Sequence, residues 1–113
     1  MSPLKITTRD VPAGPVLKIS GDLDYETAGR LRDMLPGLAL RPGQRVVLDL
    51  ADLTFCDSSG ITALIVVRNH TQAAQADVAL AAVPDHTLRV LRIVGLDQIF
   101  ALLPESPPAQ SST

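Results

Sequence analysis

Arg45-Val46-Val47-Leu48-Asp49-Leu50, followed after a short connection by Asp57-Ser58-Ser59-Gly60, decides the reading of this chain. The first six residues form a nearly continuous apolar run. Such a run suits a central strand covered on both faces. Residues 51–56 read as a connection. Asp57 then opens a helix that runs to about Ala74, because its carboxylate can accept the free N–H groups of the first turn. Ser58 and Ser59 are the first helical residues, and Gly60 lets neighbouring backbone come close. Ile61, Leu64 and Ile65 recur at helical spacing and are expected to hold this helix to the sheet. In open α/β sheets the end of such a strand is where ligands and chemistry gather.

On the N-terminal side, Leu4-Lys5-Ile6-Thr7-Thr8 alternates with period two and Val16-Leu17-Lys18-Ile19-Ser20 is a second strand, ended by Gly21. The Pro- and Gly-punctuated turn between them predicts an antiparallel hairpin. Asp24 is placed to cap a first helix, with Ala28, Leu31, Leu35 and Leu38 at helical spacing and Glu26, Arg30 and Asp33 on the wet side. Pro36 tightens or ends it. On the C-terminal side, residues 77–83 read as a strand and Pro84-Asp85 opens a third helix through Val94. Gly95 is a left-handed cap with Leu96 packing back, and residues 98–103 form a short last strand or turn. The order β-β-α-β-α-β-α-β predicts a single α/β domain over residues 1–103: a small, mixed, mostly parallel sheet with helices packed on it and an N-terminal β-hairpin. Residues 104–113 are rich in Pro and Ser and are expected to be a disordered tail.

Composition narrows the function. The chain has 113 residues, one domain's worth, with 46% hydrophobic and 19% charged residues, so it should fold. Its net charge of −2 argues against a general nucleic-acid or anionic-membrane binder. Cys56 is the single cysteine, which excludes an intrachain disulfide and a structural zinc cluster and fits a reducing, cytoplasmic setting. The N-terminus lacks a signal-peptide core and no apolar stretch reaches the length of a membrane span. Aromatic residues are 3%, so the core must be aliphatic and no platform for stacking bases exists.

The Asp57-Ser58-Ser59-Gly60 block carries the chemistry. A hydroxyl on the first helical turn suits an added phosphate, since the free N–H groups and the positive end of the helix stabilise an anion. Phosphorylation adds about −1.5 to −2 charges. The new charge would sit beside Asp57, and the fold is expected to bring Asp22 and Asp24 near. A partner packed on that surface would not tolerate a buried, unpaired dianion. This is a physical basis for an on/off binding switch. Further along the helix, Thr62 and Val66 are expected to face outward near Ser59 as a small patch suited to a partner, unless the helix is covered on more than one side.

Competing readings of the same residues are weaker. Asp-Ser-Ser-Gly is also a generic helix start. A nucleophilic Ser58 needs a base; His70 lies about three turns along the same helix, His86 begins the third helix, and no Gly-x-Ser-x-Gly elbow is present. Asp22, Asp24 and Asp57 could cluster on a hard cation, but Asp24 and Asp57 are better explained as caps. Cys56 reads as a buried strand-end residue. No Gly-rich phosphate loop is present, and no cofactor or metal is expected.

In three blocks the chain resembles the bacterial anti-anti-sigma factors, antagonists of anti-sigma factors built on the STAS domain. Gly21-Asp22-Leu23-Asp24 with Thr27-Ala28 resembles the family's block before the first helix. Val46-Val47-Leu48-Asp49-Leu50, Asp52-Leu53, Phe55 and Asp57-Ser58-Ser59-Gly60 resemble its signature, and Val90-Leu91 with Gly95-Leu96 its third helix and following turn. The blocks keep their order and spacing over about residues 4–103. The resemblance implies a binding protein with no catalytic site. It implies a partner that is both anti-sigma factor and serine kinase, with a histidine-kinase-like ATPase fold, and a metal-dependent serine phosphatase that resets the switch. The family's phosphoserine maps to Ser58, with Ser59 supporting; Asp22, Asp24, Asp57, Gly60, Thr62 and Val66 are expected to complete the docking surface. Two departures stand out. Asp22 replaces a frequent Glu, and the chain turns Pro-rich at Pro104, where the family usually ends in another helix on the sheet. A phosphate-independent STAS scaffold in a signalling complex or a lipid-transport system is the alternative.

Overall fold

Period-two alternation builds a hairpin first. In the computed structural model, which describes residues 2–107, Lys5–Val11 forms β1 and Gly14–Leu23 forms β2, paired antiparallel with Arg9 opposite Val16. Gly14 has φ 142°, and a side chain there would strike the Arg45 carbonyl, so this corner requires glycine. After a capped turn, Ala28–Met34 forms α1, which tightens into a 3₁₀ turn over Leu35–Gly37 where Pro36 sits.

The apolar run is the centre of the sheet. Arg45–Asp49 forms β3, with Val46, Val47 and Leu48 all buried. β3 lies parallel to β2 on one side and, on the other, to β5, Asp77–Ala81, which in turn pairs parallel with β6, Ala101–Leu103. The order is β1-β2-β3-β5-β6. Leu53–Cys56, expected as connection, is a further strand, β4, parallel to the end of β2 where β3 has already stopped. Its four residues are too few to show an alternation, and a register shift between Gly21 and Asp22 breaks its pairing.

Ser58–Ala73 forms α2 and Asp85–Ile93 forms α3. All three helices cover one face of the sheet. Leu17, Ile19, Leu48 and Leu80 from the strands meet Leu31 of α1, Leu64 and Val67 of α2 and Leu91 of α3, with no exposure at any of them. Each such side chain stabilises the fold by about 1.5–3 kcal/mol. The core is aliphatic apart from Phe100. Gly95 follows α3 with φ 79°, the left-handed cap, and Leu96 packs on the core.

The second face carries a narrower strip of Val16, Val47, Ala79 and Ala81. Beyond β6 the described chain holds neither helix nor strand; residues 104–107 turn back towards this face, where the Ser106 hydroxyl donates to Asp49 Oδ2 at 2.5 Å. The rest of the expected disordered tail, residues 108–113, lies outside the described residues. Among the described residues no helix is long and apolar enough to cross a membrane.

Candidate functional site

The site is built where β4 hands over to α2. Asp57 is extended, φ −94° and ψ −170°, and its Oδ1 accepts the Gly60 N–H at 3.0 Å. Its Oδ2 accepts the Tyr25 N–H at 3.3 Å. One carboxylate therefore caps α2 and ties it to the turn before α1. The Asp57 N–H donates to the Leu23 carbonyl at 3.3 Å, continuing the β2–β4 pairing. Gly60 is required by close approach: a methyl there would strike the Leu23 carbonyl oxygen and lie 2.7 Å from Cys56 Sγ.

Ser58 is the first residue of α2 and is exposed. Its carbonyl accepts the Thr62 hydroxyl at 2.9 Å, which keeps Thr62 folded against the helix. Ser59 is half-buried and shares a cleft of 170 Å³ with Tyr25, Ala28, Arg32 and Thr62. Burial pushes the Cys56 thiol up to about 12, with the Asp57 charge adding to the effect, so the thiolate is disfavoured.

Asp24 does not cap the first helix as expected. Its Oδ1 accepts the Glu26 N–H at 3.0 Å and the Thr27 N–H at 3.2 Å, capping the turn that precedes α1, while Thr27 is the residue before the helix. Local competition explains the offset: a short carboxylate closes the nearest two N–H groups first. Thr27 Oγ1 in turn donates to the Asp22 carbonyl at 2.8 Å. Asp22 is engaged elsewhere. Its Oδ1 accepts the Thr54 hydroxyl at 2.7 Å and its Oδ2 the Ser2 N–H at 3.2 Å. The structure thus joins Asp57, Ser58, Ser59, Gly60, Thr62 and the Asp24 turn, while the Asp22 carboxylate turns to β4 and the N-terminus.

Beside Ser58 opens an apolar groove of 530 Å³ between α2 and α3. Cys56, Asp57 and Ser58 form one end; Ile61, Thr62 and Ile65 form the α2 wall; Val90, Val94 and Leu96 form the other. Ile65, expected to face inward, is half-buried and lines this groove. Val66 is half-buried against the core and is not among the lining residues. The α3 wall was missed by the sequence reading. Val90 and Val94 are exposed, as is Ile93 at 76%. The signal was present: Leu88, Val90, Leu91 and Ile93, with Val94 just past its end, are more apolar residues than one face of a nine-residue helix can bury. Tyr25, 84% exposed, and Arg32 were also missed. Among the described residues no group of three or more His, Cys, Asp or Glu side chains could hold a metal ion.

The chain is similar to known proteins over nearly all of its described length. The family model described as "Mlab, STAS domain" matches residues 6–104. A STAS-domain containing protein of Pseudomonas aeruginosa is 29% identical over 86 residues, 76% of this chain and 84% of that protein. An anti-sigma-B factor antagonist of Listeria monocytogenes is 23% identical over 84 residues, 74% of each. Among solved structures, an anti-sigma factor antagonist from Mycobacterium paratuberculosis superposes with a TM-score of 0.78 at 24% identity, over 90% of this chain and 86% of that one. The anti-sigma factor antagonist SpoIIAA in its unphosphorylated form gives 0.68 at 19% identity, over 93% and 90%. At these identities the structural likeness speaks for the fold. With the family model spanning nearly every strand and helix described above, the chain belongs to the STAS domain family.

Proposed function

We propose that this protein is an anti-sigma factor antagonist switched by phosphorylation of Ser58. Unphosphorylated, it docks on an anti-sigma factor and frees a sigma factor. Phosphorylated, it is released. The protein acts by binding; the phosphoryl transfer belongs to a partner kinase with a histidine-kinase-like ATPase fold, and a serine phosphatase reverses it.

The observation that carries this reading is an exposed serine at the mouth of an apolar groove, on the first turn of a capped helix. Val90, Val94, Ile65 and the Tyr25 ring offer apolar contact; Asp57 already places a carboxylate beside the serine and ties it to the turn that Asp24 caps. In this reading a phosphate there turns a docking surface into a concentrated negative one. The helix N-terminus offsets part of the charge within the monomer, so the fold survives while the complex does not.

The test is binding to a purified anti-sigma kinase by calorimetry. Ser58→Ala should bind as wild type and resist inactivation by ATP. Ser58→Glu should weaken binding by about tenfold or more, since a desolvated charge opposite a partner surface costs about 2 kcal/mol or more. Equal binding by wild type, Ser58→Glu and phosphorylated protein would sink the proposal. A second reading, a STAS subunit of another assembly such as a signalling complex or a lipid-transport system, is favoured by the matching family model, described by Mlab and not by an antagonist. It requires docking that is indifferent to the charge at Ser58.

A further inference from the structure

Among the described residues no helix covers the sheet's second face, yet its central strip is buried. Val16 is 2% exposed, Val47 3%, and Ala79 and Ala81 not at all, yet α1, α2 and α3 all pack on the opposite face. The register explains how a few residues can do this. Arg9, Val16, Val47, Ala79 and Ala101 lie in one row across the strands, and Lys18, Asp49, Ala81 and Leu103 in the next. The side chains on β5 in these rows are alanines, which leave room for backbone to lie close.

Residues 104–107 use that room. From Leu103 on β6 to Ser106 the chain advances three residues, about 10 Å when extended. That is roughly the two strand spacings between β6 and β3. Ser106 arrives over Asp49 on β3 and donates its hydroxyl to Oδ2 at 2.5 Å. Asp49 is itself held by its Oδ1, which accepts the Ala51 N–H at 3.0 Å. One residue further, the Pro107 carbonyl accepts from the Arg9 guanidinium, reaching in from the edge strand β1. The segment is thus clasped at two polar points, Asp49 on β3 and Arg9 on β1, on the face that carries the strip. The fit is not complete: among the described residues Arg9 Nη1 is buried with no hydrogen-bond partner. Opening would return that nitrogen to water, which offsets part of what the two hydrogen bonds contribute to closure.

We propose that residues 104–107 are a latched strap, closed over the sheet's second face by Ser106–Asp49 and Arg9–Pro107, whose release uncovers the Val16, Val47, Ala79 and Ala81 strip. The device is separate from the Ser58 site: it gates a surface on the other side of the sheet.

The chain has two glutamates, Glu26 and Glu105, which makes a glutamate-specific protease a direct probe. Cleavage after Glu105 reads strap opening; cleavage after Glu26, in the turn before α1, reads integrity of the domain. In the full chain carrying Arg9→Ala and Ser106→Ala, cleavage after Glu105 should rise about tenfold, the loss of two hydrogen bonds with one charged partner each, while cleavage after Glu26 is unchanged. The Ala79 and Ala81 methyl resonances should shift in that variant and those of Leu64, under the helices, should not. Cleavage after Glu105 at the same rate in wild type and variant, or unshifted Ala79 and Ala81 methyls, would overturn the strap.

Discussion

Asp57 shows how one side chain can serve two purposes. It closes the first turn of α2 through Gly60 and holds the Tyr25 backbone through its second oxygen. Both roles need an acceptor oxygen, one for each N–H. Cys56, its neighbour, carries the clearest titration consequence. The folded thiol is raised to about 12 from its ordinary value of 9.0, first by burial and then by Asp57. The folded state therefore keeps its proton at pH values where the unfolded chain has lost it. The associated stability is fully present below about pH 9 and is lost as pH rises towards about 12. The native protein should accordingly be alkylated by iodoacetamide at pH 8.5 at least about tenfold more slowly than in urea, where the thiolate is available. Mass spectrometry of the time course checks this; equal rates would contradict the burial of Cys56.

At the scale of elements, α2 is unusual in being apolar almost all round its first half, with Ile61, Ala63, Leu64 and Val67 buried and Ile65 and Val66 half-buried. The core takes one side, the groove with α3 another. Its N-terminus is fixed by the cap, so the cap sets where Ser58 is presented. Asp57→Ala should lower stability by about 1 kcal/mol, within a range of about 0.5–2. Asp57→Asn, which keeps an acceptor for the Gly60 N–H, should recover most of that loss. Urea unfolding of the two variants isolates the cap: a similar loss in both would assign the effect to the charge or to the second oxygen, which accepts the Tyr25 N–H.

At the scale of the molecule, the site exists because β4 pairs with β2. That pairing sets Cys56 beside Leu23 and brings the Asp24 turn against the start of α2. The helices that flank the groove are then held by a shared core. Leu64 lies at its centre, without exposure. Leu64→Ala should cost about 2–5 kcal/mol through lost burial and an incompletely collapsed cavity. For a domain of this size that lowers the melting temperature by roughly 10 °C or more. Calorimetry checks it, and a smaller loss would mean that the core repacks around the gap.

Local patterns carried the elements. The hairpin, β3, β5, all three helices and the Gly95 cap were legible because period-two and helical spacing, capping carboxylates and glycines with positive φ act over a few residues. The capped start of α2 with Ser58 on its first turn was legible for the same reason. β4 was not, since four residues show no period and its hydrogen-bonding partner is about thirty residues away, set by the β2 register. Nor was the outer face of α3, the turn of the Asp22 carboxylate towards Thr54 and Ser2, or the strap on Asp49. Each depends on which strands become neighbours and on what remains uncovered after the core has closed. Those choices are made by packing between distant segments, where the free energy lies in shared buried surface and paired polar groups that no single stretch of sequence contains.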